Sequence, residues 1–190
     1  MQYLEKYRVA IELLPSAQES VQHVQRWFLP PVSVFKFNID GAVFAKLNSV
    51  GVGVMVRDWN GQFLVAMSRK IHAPLGPLEA EAKAFELGLQ FAKQLGIIDF
   101  IHEGDSLIVS RALNHSSSIP VSIDAVIMGI GKASLEFHNV DFSHVKQNAN
   151  TPAYLLAKYA KGIDNRCMWM ENCPSFLELV VLHDVNAMVV

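Results

Sequence analysis

Apolar and polar positions alternate along much of the stretch from residue 32 to 70, and that alternation predicts strands. Val34-Phe35-Lys36-Phe37-Asn38-Ile39-Asp40 has a period of two, Val50 to Arg57 is β-rich with two glycines, and Gln62 to Arg69 is again strand-like. Asp58-Trp59-Asn60-Gly61 separates the second and third of these runs. Asn-Gly supplies the positive φ angles of a tight hairpin turn, so the second and third strands are expected to pair antiparallel.

After residue 77 the period changes. Leu78 to Leu95 sets Ala80, Ala84, Leu87, Leu89 and Phe91 among Glu, Lys and Gln and stops at Gly96, which predicts a helix with a glycine C-terminal cap. Ile97 to His102 reads as a short buried strand, Ser106 to Leu113 and Ile123 to Leu135 as helices, Val140 to Lys146 as a strand, and Thr151 to Lys161 as a helix that tolerates Pro152 in its first turn. Before all of this, residues 2–14 and 16–28 read as helices, the second opening with Ser16 and Glu19 at capping-box spacing, until Pro30-Pro31 ends the pattern. Three hairpin-linked strands followed by strands alternating with helices call for a mixed sheet with helices on its faces rather than a purely parallel one. No internal repeat or low-complexity segment interrupts the order.

Length and composition narrow the class. With 190 residues, 51% of them hydrophobic, the chain can bury one substantial core but not two full-sized domains. A formal charge of -2 and a pI near 6.4 give no overall positive field, so any nucleic-acid contact must be local. Cys167 and Cys173 form neither a disulfide framework nor a zinc pattern, and a reducing intracellular setting is expected, with nucleus and cytoplasm indistinguishable. The seven histidines are scattered, and none makes the i, i+4 pair of a helical zinc site. No run reaches the roughly 18 apolar residues of a membrane helix, and no membrane partner is expected.

The candidate chemistry lies in acids at expected element ends: Asp40 before Gly41, Glu81 at the start of the long helix, and Asp105 after Glu103-Gly104. Phe37-Asn38-Ile39-Asp40-Gly41-Ala42, Gly51 to Asp58, Glu79-Ala80-Glu81-Ala82-Lys83-Ala84 and Glu103-Gly104-Asp105-Ser106 occur in this order. Over roughly residues 30 to 160 they resemble the type 1 ribonuclease H family, especially its plant branch related to the ribonuclease H segments of retrotransposon reverse transcriptases. Ser143-His144-Val145-Lys146 with Asn150, and a tail around Trp169, Glu171 and Pro174, add weaker likenesses.

The resemblance implies a ribonuclease H-like α/β fold: a mixed five-stranded sheet, three antiparallel strands then parallel ones, with helices on both faces. Pro30-Pro31 sets off residues 1–30, a helical and peripheral N-terminal extension, from the ribonuclease H-like domain at 31–163, which is expected to fold cooperatively by itself, with 164–190 as a tail packing on that domain. The resemblance also implies that Asp40, Glu81 and Asp105 are catalytic and hold Mg²⁺, or alternatively Mn²⁺, with Glu79 as reserve for Glu81. Hard divalent ions prefer carboxylate oxygens, and two such ions can stabilise the attacking and leaving oxygens of phosphodiester hydrolysis. The family's fourth acid falls on Tyr154, a phenol that is a poor Mg²⁺ ligand, and Lys146-Gln147-Asn148-Ala149-Asn150 offers no histidine where active members often have one.

Two functions remain open at this level. One is an endonuclease cutting the RNA strand of RNA/DNA hybrids, slowed by the missing acid. The other is a non-catalytic nucleic-acid-binding or protein-interaction module that keeps the fold, with the net charge leaning toward a protein partner. Arg57, Trp59, Arg69 and Lys70 around the expected hairpin are candidates for phosphate contact and base stacking, with ordinary hairpin solvation as the alternative.

Overall fold

Strand β1 (Phe35–Phe44) organises the sheet, because its alternation sends two different chemistries to its two sides. In the computed structural model, which describes residues 26–186, Phe37 and Ile39 enter the main apolar core, while Lys36, Asn38 and Asp40 point to the other face. The helices expected before residue 26 lie outside the described residues, and Arg26–Phe28, expected to finish the second, are not helical.

β1 pairs antiparallel with β2 (Ser49–Arg57), which pairs antiparallel with β3 (Phe63–Ile71). The turn between β2 and β3 differs from the expected one: Gly61 takes φ 78° but Asn60 does not have positive φ. Asp58 instead accepts hydrogen bonds from the Asn60 and Gln62 N–H groups, and a register shift at Val56/Arg57 absorbs the extra residue. On its other edge β1 runs parallel to β4 (Asp99–Gly104), and β4 runs parallel to β5 (Asn139–His144).

The expected mixed sheet is present, with one more strand than the five predicted. β6 (Arg166–Met170), which the sequence pattern leaves in the tail, adds antiparallel to β3 and gives the order β5-β4-β1-β2-β3-β6 among the described residues. Half-buried Trp169 on it packs edge-on against Tyr159 and Phe176, so this tail strand is stapled to the domain by aromatic contacts.

Helices α1 (Pro77–Leu95), α2 (Leu107–Leu113) and α3 (Asp124–Ser134) cover one face. α1 ends where Gly96, at φ 69°, returns its N–H to Ala92 and Lys93, as its sequence predicts. Helices α4 (Thr151–Tyr159) and α5 (Ser175–Asn186) cover the other face. None of the described helices is long and apolar enough to cross a membrane.

α4 lies very close to β2. A Cβ on Gly53 would stand 2.2 Å from the Ala153 carbonyl oxygen and 2.4 Å from the Ala157 nitrogen, both backbone atoms that cannot yield without moving the helix. Gly53→Ala is therefore expected to cost about 1 to 3 kcal/mol by overpacking, and to displace the helix that carries Tyr154 and Lys158. Denaturant unfolding checks it; an unchanged midpoint would contradict so tight a contact.

Beside the apolar contacts of α5, its Asp184 joins a buried polar network on this face. Arg57, fully buried, gives Nη1 to Asp184 Oδ2 at 2.9 Å and Nη2 to Asn38 Oδ1 at 2.9 Å, with its guanidinium 3.5 Å from the Trp27 ring centroid. Trp27 Nε1 donates to the same Asn38 oxygen, Asn38 Nδ2 donates to Glu103, and Lys36 Nζ donates to Glu103 and to the Phe28 carbonyl. A segment before residue 31 and a helix after residue 163 thus complete one buried network. Arg57, a candidate phosphate contact from sequence, is unavailable for that role because its charge is enclosed and paired.

Candidate metal centre

The β1/β4 register builds the site. Gly104, the last residue of β4, stands opposite Ile39, so the chain leaves the sheet beside Asp40 and delivers Asp105 there. Asp40 does not end its strand as the sequence suggested, since β1 continues to Phe44, paired with β2; the opening comes from the end of β4. Glu81 arrives from the opposite side on α1. A Cβ on Gly41 would lie 2.6 Å from the Ala80 carbonyl oxygen, so glycine is what allows α1 this close. The Gly41 N–H then donates to the Glu81 carboxylate.

Asp40, Glu81 and Asp105 each offer a carboxylate oxygen, and these oxygens lie within 4.8 Å of one another. Glu79, the reserve candidate, is not in this group; its carboxylate folds back over Gly76 at the helix start. The three acids line a cavity of about 240 Å³ together with Gln147, Tyr154 and Lys158.

Crowding buried carboxylates has an electrostatic cost, visible in all three groups. Burial first, then the charges of Glu81 and Asp105 and a side-chain hydrogen bond with Asp105, raise Asp40 well above the carboxylate range. Burial and the Asp105 charge push Glu81 up to about 8. Burial raises Asp105 too, against the opposing pull of that hydrogen bond and of His144, which faces Gly104 at the end of β5. Among the described residues, Lys158 is the cation that pulls Asp40 down.

Two of the buried oxygens, Asp40 Oδ2 and Glu81 Oε2, have no hydrogen-bond partner among the described residues. Orphaned carboxylate oxygens facing two more acids are what a hard divalent cation satisfies, and the donor set fits Mg²⁺ or Mn²⁺. Such an ion would also reverse the repulsion that raises the three groups.

Helix α4 is fixed against this site by Asn150, whose buried Nδ2 donates to the Ile39 carbonyl at 2.8 Å. One turn on, Tyr154 reaches the cavity where the resemblance places a fourth acid, and Lys158 lies 5.4 Å from its ring. Neither Lys158 nor Gln147 belongs to a motif that marks it in the sequence. Lys158 was legible in principle, because position i+4 shares a helix face with Tyr154.

A mixed sheet with antiparallel β1-β2-β3, parallel β4 and β5, and acids from β1, α1 and the β4 end define a type 1 ribonuclease H-like domain. The chain belongs to the reverse transcriptase-like family, whose model matches residues 38–160. Among solved structures it is similar to RNase H1 from the halophilic archaeon Halobacterium salinarum, with 21% identity, TM-score 0.63, and 67% of this chain and 97% of that one covered. It is also similar to the N-terminal RNase H domain of a Mycobacterium tuberculosis protein (20%, 0.60, 67% and 93%) and to LC11-RNase H1 in complex with an RNA/DNA hybrid (20%, 0.61, 66% and 95%). The comparison with curated protein sequences returns no match.

Proposed function

We propose that this chain is a metal-dependent endonuclease that cleaves the RNA strand of RNA/DNA hybrids, at a rate reduced by Tyr154 in place of a fourth carboxylate. The observation that carries the reading is the convergence of Asp40, Glu81 and Asp105 in one cavity with two orphaned oxygens. A similar fold complexed with an RNA/DNA hybrid supports the substrate class. When bound, Mg²⁺ or Mn²⁺ supplies Lewis-acid charge for phosphodiester hydrolysis.

The chain's own residues hold and orient. Asp40 and Glu81 each keep one carboxylate oxygen without a partner among the described residues, and the Gly41 N–H fixes the other side of the Glu81 carboxylate. A cation binds the ionised carboxylates, so metal affinity should rise with pH toward 8, where Glu81 ionises in the metal-free protein. Lys158 sets a fixed positive charge at the rim that can meet a phosphate oxygen.

The second reading, a non-catalytic binding module, is favoured by Tyr154 itself, which removes a ligand and a negative charge from the cavity. A labelled hybrid incubated with Mg²⁺ or Mn²⁺ separates the two. The nuclease reading expects slow cleavage of the RNA strand, loss of it in Asp105→Asn, and faster cleavage in Tyr154→Asp, whose added carboxylate should tighten Mg²⁺ binding by about 1 to 3 kcal/mol. No cleavage by the wild type or by Tyr154→Asp in either metal would establish the binding module instead.

A further inference from the structure

A second cavity, of about 290 Å³, adjoins the carboxylate site and shares Val43 and Lys158 with it. It is lined by Lys46, Lys158 and Lys161 together with buried Phe44 and exposed Leu47. Lys46 comes from the short turn Ala45–Leu47 after β1, and Lys161 from the turn Ala160–Gly162 that follows α4. Both are exposed, and neither has an ion-pair partner among the described residues.

Three ammonium groups around one hollow repel each other, and no carboxylate among the described residues lines it to relieve them. In a chain of net charge -2 this is a local reversal of sign, placed directly beside three acids. Lys70 donates to the Lys161 and Ile163 carbonyls, which ties the Lys161 turn to β3 and holds one side of the hollow in place. The apolar lining of Phe44 and Leu47 suits a sugar face, and the lysines suit phosphate oxygens.

We propose that Lys46, Lys158 and Lys161 form a subsite for a backbone phosphate of the nucleic-acid strand whose neighbouring phosphodiester lies at the carboxylates. The proposal rests on the nuclease reading for the second phosphodiester. Lys158, which lines both cavities, links the two: it faces Asp40 on one side and the lysine-rimmed hollow on the other. The subsite would set the strand's position by charge and carry no sequence preference.

The test measures binding of a fluorescent RNA/DNA hybrid by anisotropy in Ca²⁺ over a series of salt concentrations, for the wild type and for the double variant Lys46→Gln/Lys161→Gln. Neither substituted residue lines the carboxylate cavity. The subsite predicts an affinity about ten-fold lower at low salt, and a salt slope smaller by about 1, since each phosphate contact contributes about 0.9. Mn²⁺ affinity and the thermal transition should be unchanged. A wild type that binds the hybrid and a variant with the same affinity and slope would overturn the subsite alone. A wild type that binds no hybrid would overturn both the subsite and the nuclease reading. Calorimetric titration with inorganic phosphate should give no saturable heat; saturable binding lost in the variant would mark a free-anion pocket and overturn the strand assignment.

Discussion

Replacing Asp184 with alanine is expected to destabilise the protein by about 3 to 5 kcal/mol, because it strands the Arg57 guanidinium inside the fold. Arg57 is fully buried, its Nε already has no partner, and Asp184 supplies the only carboxylate bonded to it among the described residues. Burial pulls Arg57 down and pushes Asp184 up despite their attraction, so desolvation outweighs the ion pair at both ends. Such a pair adds little net stability, yet removing one partner leaves the whole desolvation cost of the other. Two variants separate these effects in chemical denaturation: Asp184→Ala should lose several kcal/mol, and Arg57→Met/Asp184→Leu should recover most of it. A single variant within about 1 kcal/mol of wild type would contradict the account. By the same reasoning a fragment of residues 31–163, which the sequence pattern alone leads one to expect to fold by itself, is expected to lose its cooperative thermal transition, because it lacks Trp27 and Asp184 but keeps Lys36, Asn38, Arg57 and Glu103.

Glu81→Gln should stabilise the metal-free protein at pH 8 while abolishing its stabilisation by metal. The Glu81 carboxyl is raised from about 4.5 to about 8, so the folded state keeps a proton that the unfolded chain releases. Stability from this group is complete below pH 4.5 and is lost as pH rises through about 8. The loss at pH 8 is on the order of a few kcal/mol, since every tenfold change in proton affinity between the two states corresponds to about 1.4 kcal/mol. Glutamine never ionises and escapes the loss. Thermal unfolding at pH 4.5 and pH 8 should therefore show the variant matching wild type at the lower pH and melting higher at the upper. Adding Mn²⁺ should raise the wild-type midpoint through preferential binding to the folded state, and leave the variant nearly unmoved. Equal midpoints of the two proteins at pH 8 without metal would contradict the electrostatic picture.

Much of this fold is legible in the sequence, and the parts that are not share a physical cause. The strands around Phe37, Val54 and Val65 announce themselves by local period, and the α1 helix by its apolar stripe and Gly96, because each signal sits within a few residues of its effect. Arg57 could not be placed that way: its partner lies 127 residues along the chain, and local context makes it a hairpin cation. β6 is hidden in the sequence because Arg166–Met170 is a short edge strand, with Arg166 and Met170 exposed and no full alternation. His102 reads as an ordinary strand residue, yet it is buried among Phe37, Phe85, Phe100 and Phe142 and is driven down to about 3 by loss of solvent. Of the candidate site, the acids are legible through motif order, while their approach depends on the β1/β4 register and on the missing Cβ of Gly41.

The most direct test of the central claim is calorimetric titration of the whole protein with Mn²⁺ at pH 8. If Asp40, Glu81 and Asp105 hold the cation together, wild type should show saturable binding, Asp40→Asn and Asp105→Asn should each weaken it at least about ten-fold, and Glu79→Gln should leave it unchanged. Binding that survives Asp40→Asn and Asp105→Asn, or that is lost in Glu79→Gln, would contradict the account.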